Sequence, residues 1–494
     1  MFTPSLEEVK KLSGKYNMIP VMMEVYADMV TPITIFKQLE REHFCFLLES
    51  VEGGEKWARY SFIGRNPFLT IKSYGNKIII DKRDRGIEET EGNPIEVIKS
   101  IIGQYNGAVI PNMPRFNGGA VGFFGYDLIR HYEKLPNMVD DDMKLPECHF
   151  MFTDEVVAFD HMKQKIFIIV NMHVDGEVEA LYSQTVERIK RIYEEIASKV
   201  VSGNSINQKT YENTNKEINT KSNITKEKFC ENVKTAKEYI KDGDIFQVVL
   251  SQRLMVETQI EPFNVYRSLR LLNPSPYMYY LKFDEYTIAG ASPEMLVRVE
   301  NKTVETCPIA GTRKRGADEQ EDLMLEKELL SDQKELSEHT MLIDLGRNDI
   351  GRVAKFGTVR TENLMHIERY SHVMHIVSNV IGKMRDDKTP FDALMSVLPA
   401  GTLSGAPKVR AMEVIEELET TKRGTYGGAI GYLSFNGNLD SCITIRTVVF
   451  QNGKAYIQAG GGIVADSVPE NEYEESLNKA MALLKAIKEA GDII

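Results

Sequence analysis

Two pairs of glutamates in the C-terminal half of the chain have the spacing of a metal-binding surface. Glu335 and Glu338 lie three residues apart in a stretch with helical character, and Glu472 and Glu475 repeat that spacing near the C-terminus. Residues three apart share one face of a helix, and Mg²⁺ binds one or two carboxylates together with water and substrate oxygens. Two such faces could converge on a divalent cation. The plain alternative is that both pairs lie on solvated helix surfaces.

Three further segments contain residue types that hold anions. Pro308–Arg313 and Gly401–Lys408 are rich in small residues, so their backbone N–H groups could approach a carboxylate. Arg446 ends the alternating segment Cys442–Arg446, which predicts a strand, and a charge on the buried face of a strand needs a carboxylate partner. Each segment also fits an ordinary turn or strand, so none of them identifies a function alone.

The glycine-rich segment Gly460–Ala465 fits the G-x-G-x-x-A pattern of dinucleotide-binding turns. A dinucleotide site needs a helix that begins at this turn, and here Asp466, Ser467 and Pro469 come before the predicted helix. An anion held by backbone N–H groups is the better interpretation. The sequence contains no P-loop, no nucleophile elbow and no H-E-x-x-H motif, so a zinc enzyme is not expected.

The elements that must position these residues favour an α+β fold. The first part of the chain mixes short strands, punctuated by Gly, Pro and Asn, with helical segments such as Val178–Ala197. In the second part, Thr225–Lys241 has apolar residues at helical spacing, with Thr225 placed to cap the helix and Gly243 to end it. A strand is predicted over Ile245–Leu254. Runs of strands followed by helices favour α+β over a regular βαβ repeat.

The clearest break in composition is Ser202–Asn223, which is rich in Asn and Ser and has almost nothing to bury. We interpret this segment as a linker or a long surface loop. It divides the chain into an N-terminal domain at 1–201 and a C-terminal domain at 224–494.

Composition limits the classes of function. The chain has 494 residues, 42% hydrophobic and 27% charged, which predicts a soluble globular protein. A net charge of −12 argues against nucleic-acid binding, although a local basic pocket could still hold an anionic substrate. Five scattered cysteines and the lack of a signal peptide or a long apolar run predict a reduced, cytoplasmic protein without a membrane span.

Taken in order, the motifs resemble those of the chorismate-utilising enzymes, most closely the large (synthase) subunits of anthranilate synthases. The likeness covers roughly Thr225 to Ala490 and extends upstream into the first domain. The matching blocks are LLES (Leu47–Ser50), NPSPYM (Asn273–Met278), ASPE (Ala291–Glu294), PIAGTR (Pro308–Arg313), KELSEH (Lys334–His339), DLGRND (Asp344–Asp349), GTLSGAPKVRAME (Gly401–Glu413), YGGAIGY (Tyr426–Tyr432) and ESLNKA (Glu475–Ala480). The resemblance implies a large sandwich of two packed antiparallel β-sheets flanked by helices.

The resemblance also implies a reaction. Chorismate is aminated at C2 by ammonia, loses its C4 hydroxyl, and eliminates pyruvate to give anthranilate, the first step of tryptophan biosynthesis. Hydroxide is a poor leaving group, so a general acid is needed, and the family acid corresponds to Glu294, which must be protonated at neutral pH. His375 corresponds to the histidine that assists pyruvate elimination, and Thr402 to a threonine of the pocket.

The remaining site residues follow from the same resemblance. The family's Mg²⁺ ligands correspond to Glu338 and Glu475, with Glu335 and Glu472 nearby. One carboxylate of chorismate can bridge to Mg²⁺, and the other suits cationic side chains and glycine-loop amides. The chorismate contacts correspond to Gly311, Thr312, Tyr426, Arg446, Gly460, Gly461, Gly462 and Lys479.

Two positions separate reactions within the family. Relatives that add water to make isochorismate carry a lysine base where this chain has Gln247, and an amide cannot deprotonate water. Relatives that aminate C4 carry a lysine where this chain has Ala310, which offers no nucleophile. Isochorismate or aminodeoxychorismate synthase is therefore the second hypothesis. A catalytically inactive, tryptophan-binding regulatory subunit is the third, and the intact site positions disfavour it.

The resemblance implies two further partners. The chain has no glutaminase segment, so a separate glutamine amidotransferase subunit is expected to supply ammonia. The LLES and NPSPYM blocks correspond to the feedback site for tryptophan, with Tyr277 and Met278 expected to sandwich the indole and Glu49 or Ser50 to take the ammonium. The candidate residues of this site are Glu49, Ser50, Pro276, Tyr277 and Met278.

Overall fold

A computed structural model describes residues 2–41, 43–51, 59–200, 219–370 and 373–492. Most of the predicted linker at 202–223 lies outside these residues, and its last part contains a short strand. The division into domains at 1–201 and 224–494 stays a prediction.

The described residues form two large sheets whose strands all pair in the antiparallel sense. The first sheet has 13 strands: β1 (Phe2–Thr3), β2 (Met18–Tyr26), β3 (Cys45–Glu49), β4 (Tyr60–Arg65), β10 (Glu155–Asp160), β11 (Lys165–His173), β12 (Thr220–Ser222), β13 (Gln247–Glu257), β14 (Tyr277–Lys282), β15 (Thr287–Ser292), β21 (Gly405–Ala406), β24 (Thr447–Gln451) and β25 (Lys454–Ile463). The second has 12: β5 (Leu69–Tyr74), β6 (Lys77–Lys82), β7 (Gly86–Glu91), β8 (Gly119–Phe124), β9 (Cys148–Thr153), β16 (Met295–Glu300), β17 (Thr303–Thr306), β18 (Ile309–Lys314), β19 (Arg360–Arg369), β20 (Val373–Lys383), β22 (Ala429–Ser434) and β23 (Leu439–Ile443).

Helices flank the sheets. They are α1 (Leu6–Ser13), α2 (Pro32–Leu39), α3 (Pro94–Ile102), α4 (Val178–Val200), α5 (Lys226–Lys241), α6 (Pro262–Leu272), α7 (Glu319–Ser331), α8 (Gln333–Gly351), α9 (Pro390–Val397), α10 (Gly401–Ser404), α11 (Lys408–Leu418) and α12 (Pro469–Glu489). Thr225 caps α5 as predicted, with its side chain accepting the N–H of Lys228. Within the described residues, no helix is long and apolar enough to cross a membrane.

The two sheets pack face to face through a shared layer of buried side chains. Phe62 of the first sheet and Tyr432 of the second meet edge to face, with ring centroids 6.0 Å apart. Burying one large apolar side chain contributes roughly 1.5–3 kcal/mol, so this layer is a main reason that the sheets stay together. Both halves of the chain supply strands to both sheets: β3 pairs with β14, and β8 pairs with β22.

The ends of the two sheets bring two helices to one cleft. In the first sheet, β13 pairs with β25, and α12 packs against β25. In the second sheet, β18 and β19 both pair with β20, and α8 packs against β18 and β20. The four glutamates that the sequence singles out lie on α8 and α12.

Candidate active site

The first glutamate pair lies at the start of α8. Asp332 caps this helix, because its carboxylate accepts the backbone N–H groups of Lys334 and Glu335. Glu335 and Glu338 follow within the first two turns and share a face. The Glu335 carboxylate accepts a hydrogen bond from Nη1 of Arg313 at 3.5 Å. The capped helix start thus fixes where this acidic face points.

The second pair lies on α12, above the glycine-rich end of β25. Glu472 and Glu475 are so close to Gly461 that a side chain there would meet their carboxylate oxygens at 3.2 and 3.6 Å. One turn further along, Nζ of Lys479 lies 2.7 Å from the Glu475 carboxylate and donates to the carbonyl oxygen of Gly460 at 2.9 Å. Lys479 therefore ties the acidic face of the helix to the strand.

The two acidic faces approach each other across the cleft. The pKa of Glu338 is raised, first by burial and then by the negative charges of Glu335 and Glu475. Burial also raises the pKa of Glu472, with a smaller contribution from Glu475. Among the residues that the structure describes, no three His, Cys, Asp or Glu side chains form a ready-made metal cage. The carboxylates therefore lie in one region of the cleft, but they do not by themselves form a complete set of metal ligands.

Glu294 and Thr402 form a second part of the cleft. Glu294 directly precedes β16, and its carbonyl oxygen accepts the N–H of Ile443 at 3.0 Å. In the described part of the chain, its carboxylate has one hydrogen bond, from Oγ1 of Thr402 at 3.2 Å. Burial raises the pKa of Glu294 to about 7. Such a carboxyl group can hold a proton at neutral pH, as a general acid requires.

His375 lies on β20 beside two residues of β18. Its Nδ1 atom is 3.1 Å from the carbonyl oxygen of Gly311 and 3.0 Å from Oγ1 of Thr312. Because a carbonyl oxygen only accepts, we assign the ring proton to Nδ1, which leaves a lone pair on Nε2. Burial lowers the pKa of His375, so the ring is neutral at pH 7 and its Nε2 atom can act as a base.

Gly311 lets β18 approach α8 closely. Its φ of +68° lies in the left-handed region that glycine adopts at little cost. A side chain at this position would also meet Oε2 of Glu335 at 3.3 Å. Gly311, a candidate chorismate contact, therefore lies beside Glu335, a candidate metal ligand.

Arg446 does not lie in a strand, which corrects the prediction from sequence alternation. β23 ends at Ile443 and β24 begins at Thr447, and Arg446 occupies the bend between them with a φ of +51°. Its Nη1 atom donates to the carbonyl oxygen of Lys479 at 3.1 Å. Among the described residues, no carboxylate forms an ion pair with Arg446, although the negative charge of Glu475 acts on it. The guanidinium can therefore bind a further anion.

The other candidates surround this arginine and the glycine strand. Tyr426 is buried, and its charge interaction with Arg446 places the two side chains near each other. The Gln247 side chain lies directly over Gly462. Ala310 lies on β18, next to Gly311. The structure thus brings the predicted catalytic, chorismate and metal residues of both sheets to one cleft, while their roles stay predictions.

Comparison with known proteins identifies the family. The sequence profile described as "chorismate binding enzyme" matches residues 44–485. The chain belongs to the chorismate binding enzyme family.

Individual members of the family are similar along their whole length. Anthranilate synthase component 1 of Acetivibrio thermocellus is 70% identical over 495 residues, which cover 100% of both chains. The protein of the same name from Aquifex aeolicus is 49% identical, covering 98% of this chain and 97% of its own. The solved structure of anthranilate synthase component I from Streptococcus pneumoniae TIGR4 superposes with a TM-score of 0.76 at 38% identity, covering 93% of this chain and 98% of its own. These matches confirm the expected fold and resemblance.

This chorismate binding enzyme has a second cavity between its two sheets, which we call the effector cavity. Its volume is about 50 Å³, and all five residues predicted for the tryptophan site line it. These residues are Glu49, Ser50, Pro276, Tyr277 and Met278. Oγ of Ser50 is buried and has no hydrogen-bond partner in the described part of the structure.

Glu49 is held by several donors on its own sheet and on α6. Its carboxylate accepts hydrogen bonds from Oγ of Ser61 at 3.2 Å, from the Tyr266 hydroxyl at 2.5 Å and from Nε of Arg270 at 3.1 Å. The carboxylate already has a cationic partner, whereas the Ser50 hydroxyl has no described partner at all.

Tyr277 and Met278 both line the effector cavity, but their side chains do not flank it from two sides. They are consecutive residues of β14, so their side chains leave the sheet on opposite faces. The Tyr277 hydroxyl faces the second sheet and donates to Oδ1 of Asp440 at 2.9 Å. Met278 packs with Tyr280 in the core on the other face. The expected sandwich of an indole between Tyr277 and Met278 is therefore wrong.

The sequence reasoning missed the charged residues that line the effector cavity from the second sheet. Nη2 of Arg298 lies 3.0 Å from Asp440 and 3.2 Å from the Tyr277 hydroxyl. Arg115 approaches Asp440 to 3.5 Å. A signal was available: Arg298 interrupts the otherwise apolar interior of the strand Met295–Glu300, and a buried charge needs a partner.

Proposed function

We propose that this chain is the chorismate-aminating component of an anthranilate synthase. It adds ammonia to C2 of chorismate, removes the C4 hydroxyl as water, and eliminates pyruvate to give anthranilate. The observation that carries the proposal is the 70% identity to an anthranilate synthase component 1 along the full length of both chains. The geometry of the cleft supports it, because each chemical step has a residue of suitable type in place.

Glu294 supplies the proton for the C4 leaving group. A carboxyl group with a pKa of about 7 is partly protonated at neutral pH. Thr402 donates to Oε1 of Glu294 and so orients the carboxyl group. The proton on the carboxyl passes to the hydroxyl oxygen as the C4–O bond breaks, so that water leaves instead of hydroxide.

His375 assists the second half of the reaction. With Nδ1 directed to Gly311 and Thr312, its Nε2 atom is the ring nitrogen available to take a proton. Aromatisation requires loss of the proton at C2 while the enolpyruvyl group leaves C3. A neutral imidazole whose pKa is lowered can accept that proton at pH 7.

The cationic and glycine-rich side of the cleft binds the substrate. Arg446 and Lys479 are joined through the Lys479 carbonyl, and Lys479 also contacts the Gly460 carbonyl. Both cations can reach a carboxylate of chorismate, which gives charge-assisted hydrogen bonds. The other chorismate candidates are Gly311, Thr312, Tyr426, Gly461 and Gly462.

Mg²⁺ fits the acidic faces of α8 and α12. The donors are all carboxylates, which is the ligand type that Mg²⁺ prefers. Burial, and after it the like charges of Glu335 and Glu475, raise the pKa of Glu338, so a cation here would relieve repulsion between these carboxylates. Glu338 and Glu475 would hold the ion, with Glu335 and Glu472 beside them. A bound Mg²⁺ would neutralise and orient a substrate carboxylate.

Ammonia is the nucleophile that the cleft favours. Gln247 offers an amide where water addition needs a base, and Ala310 offers no amine for a covalent adduct. The name component 1 implies a second component, and we propose a glutamine amidotransferase subunit that delivers ammonia. All five cysteines are buried and unpaired, which suits the reduced, cytoplasmic setting that we propose.

The effector cavity is the proposed site of feedback inhibition by tryptophan. Its volume of about 50 Å³ is well below the roughly 300 Å³ at the lower end of ordinary ligand pockets. Tryptophan binding must therefore separate the two sheets locally. The Ser50 hydroxyl, which has no partner among the residues that the structure describes, is the group best placed to gain a hydrogen bond.

The deciding experiment uses the purified chain alone with chorismate, Mg²⁺ and an ammonium salt, and it follows anthranilate fluorescence. A parallel assay replaces ammonium with glutamine. We expect anthranilate from ammonium and none from glutamine. Conversion of chorismate to isochorismate would favour the second hypothesis, and unchanged chorismate would favour a regulatory subunit.

A further inference from the structure

A small cavity lies behind Glu294, between the second sheet and α8, and we call it the rear cavity. Its volume is about 50 Å³, whereas roughly 10–15 Å³ is enough to hold one water molecule. Among the predicted site residues that the structure describes, Glu294 and Thr402 are the ones that line it. The chorismate candidates lie outside it, so the rear cavity is a space separate from the substrate side of the cleft.

A second acidic residue, Asp349 on α8, also lines the rear cavity. The Asp349 side chain is 8% exposed and forms an ion pair with Nζ of Lys408 at 3.6 Å. The Lys408 amine also donates to the carbonyl oxygen of Val397 at 3.3 Å. With 22% of its side chain exposed, Lys408 connects the buried carboxylate to solvent.

We propose that Asp349 and Lys408 return a proton to Glu294 through the rear cavity in every catalytic cycle. The inference rests on the proposed function, because it assumes that Glu294 gives its proton to the C4 hydroxyl. Bound substrate covers the front of Glu294, so a proton that arrives from solvent needs another route. The rear cavity offers that route. Asp349 acts on the reaction only through Glu294, by helping to return the proton to its carboxylate.

The proton balance closes. The O–H bond of Glu294 breaks, and its proton leaves with the C4 oxygen and the C–O electron pair as water. The Glu294 carboxylate then takes a proton from water in the rear cavity, which is resupplied by the Asp349–Lys408 pair. Lys408 takes a proton from solvent. The ammonia nitrogen that has bonded to C2 releases one proton to solvent, so no net proton is consumed.

The charges around the rear cavity suit a proton transfer. Burial raises the pKa of Asp349 and lowers the pKa of Lys408, so both move towards neutrality. Burial brings the pKa of Glu294 to about 7 as well. The positive charge of Arg352 also acts on Asp349 and Lys408. The Cys307 thiol in the cavity wall has a pKa raised far above its usual value and stays neutral. These directions bring the proton affinities of the three groups closer together, which lowers the cost of passing a proton between them.

The test compares Asp349→Asn with the unmodified chain in the ammonium-dependent assay. Removing a general acid costs about 10²–10⁴-fold in rate, and a group that only resupplies it should cost less, about tenfold in kcat. We expect KM for chorismate to stay within about twofold, because no substrate contact changes. We also expect the solvent deuterium isotope effect on kcat to increase, because the return of the proton becomes slower.

Two further variants distinguish a role of Asp349 and Lys408 in proton transfer from a structural lock, by which we mean that their ion pair only holds the local structure in place. The double variant Asp349→Asn, Lys408→Gln removes both charges together, so it leaves no unpaired buried charge that could unfold the chain. Asp244→Asn is the matched control, since Asp244 pairs with Arg410 of the same helix α11 at 3.1 Å on the surface. We expect the double variant to behave like Asp349→Asn and the control to behave like the unmodified chain.

Each outcome decides something different. Unchanged kcat and isotope effect in Asp349→Asn would overturn the proton route while leaving the proposed function intact. A parallel change of kcat and KM, without a larger isotope effect, would overturn it in favour of a structural lock. An unmodified chain that forms no anthranilate from ammonium would overturn the proposed function and the proton route together.

Discussion

Glu49 and Glu294 are chemically identical side chains at the ends of central strands, but their surroundings differ. Glu49, at the end of β3, is fully enclosed and accepts hydrogen bonds from three donors, one of which is the Arg270 guanidinium. Glu294, just before β16, has one described donor, the Thr402 hydroxyl, and burial raises its pKa to about 7. The effector cavity and the catalytic cleft thus treat the same carboxyl group in opposite ways.

The partner of a buried carboxyl group, rather than its residue type or burial alone, decides its chemistry. An opposite charge within hydrogen-bond distance favours the charged form, which suits a fixed binding or structural charge. Without an opposite charge, burial favours the neutral form, which can give a proton away. Glu49 forms an ion pair with Arg270, whereas the one described hydrogen-bond donor to the Glu294 carboxylate is the uncharged Thr402 hydroxyl, and burial raises the pKa of Glu294.

The largest expected effect is the loss of catalysis in Glu294→Gln. Glutamine keeps the shape and the contact with Thr402 but carries no acidic proton, so kcat should fall by about 10²–10⁴-fold. Anthranilate fluorescence measures the rate, and thermal unfolding checks the fold. Glu300→Gln is the matched control, an exposed glutamate at the other end of β16. Full activity in Glu294→Gln would show that Glu294 is not the general acid, and its contrast with Glu49 would then have no role in catalysis.

The corresponding substitution at the effector cavity is Glu49→Gln. It should affect inhibition by tryptophan rather than turnover. A hydrogen bond to a charged group contributes about 1.5–3 kcal/mol, so the tryptophan concentration for half-inhibition should rise by about 10–150-fold. Turnover without tryptophan should stay within about twofold, because the hydrogen-bond partners of Glu49 are Ser61, Tyr266 and Arg270, none of which is a cleft candidate. Glu24→Gln, at an exposed ion pair on the same sheet, is the control. A large loss of turnover with unchanged inhibition would reverse the assignment.

Ser50→Phe tests whether space in the effector cavity controls inhibition. The cavity of about 50 Å³ cannot take a phenyl ring and tryptophan together, and overpacking costs about 1–3 kcal/mol. We expect inhibition to weaken by about 5–150-fold while turnover is retained. Ser50→Ala is the matched small variant, which should weaken inhibition only by the value of one hydrogen bond, about 0.5–1.5 kcal/mol. Unchanged inhibition in both variants would place tryptophan elsewhere.

Some parts of the fold and the site can be predicted from the sequence, and others cannot. The order of the motifs predicted the two-sheet fold, and the glutamate spacing predicted which helix faces are acidic, because both are local or cumulative signals. The bend at Arg446 is set by the meeting of β23 and β24, and strand alternation alone gives no sign of it. The error about Tyr277 and Met278 was avoidable, since consecutive strand residues face opposite sides. The donors around Glu49 come from distant segments, which no local pattern joins.

A smaller predicted effect is the loss of activity on the alkaline side, which we assign to Glu294. Its reactive form is protonated and its pKa is about 7, so kcat/KM for chorismate should be full below that pH and fall about tenfold per pH unit above it. Rates must be compared at equal free ammonia, because ammonium itself loses a proton as the pH rises. In Glu294→Gln the fall should vanish along with most of the activity.

The same titration should be visible in stability, where the sign can be checked independently of the reaction. The pKa of Glu294 lies above its ordinary value of 4.5 in the folded state, so the neutral carboxyl group favours folding. Its contribution is fully present below pH 4.5 and is lost as the pH rises through about 7. The unfolding free energy of the unmodified chain should therefore fall across this window relative to that of Glu294→Gln, as denaturant unfolding at several pH values can measure. A parallel pH dependence in both chains would mean that Glu294 is ionised in the folded protein, and Glu294 could then not serve as the acid.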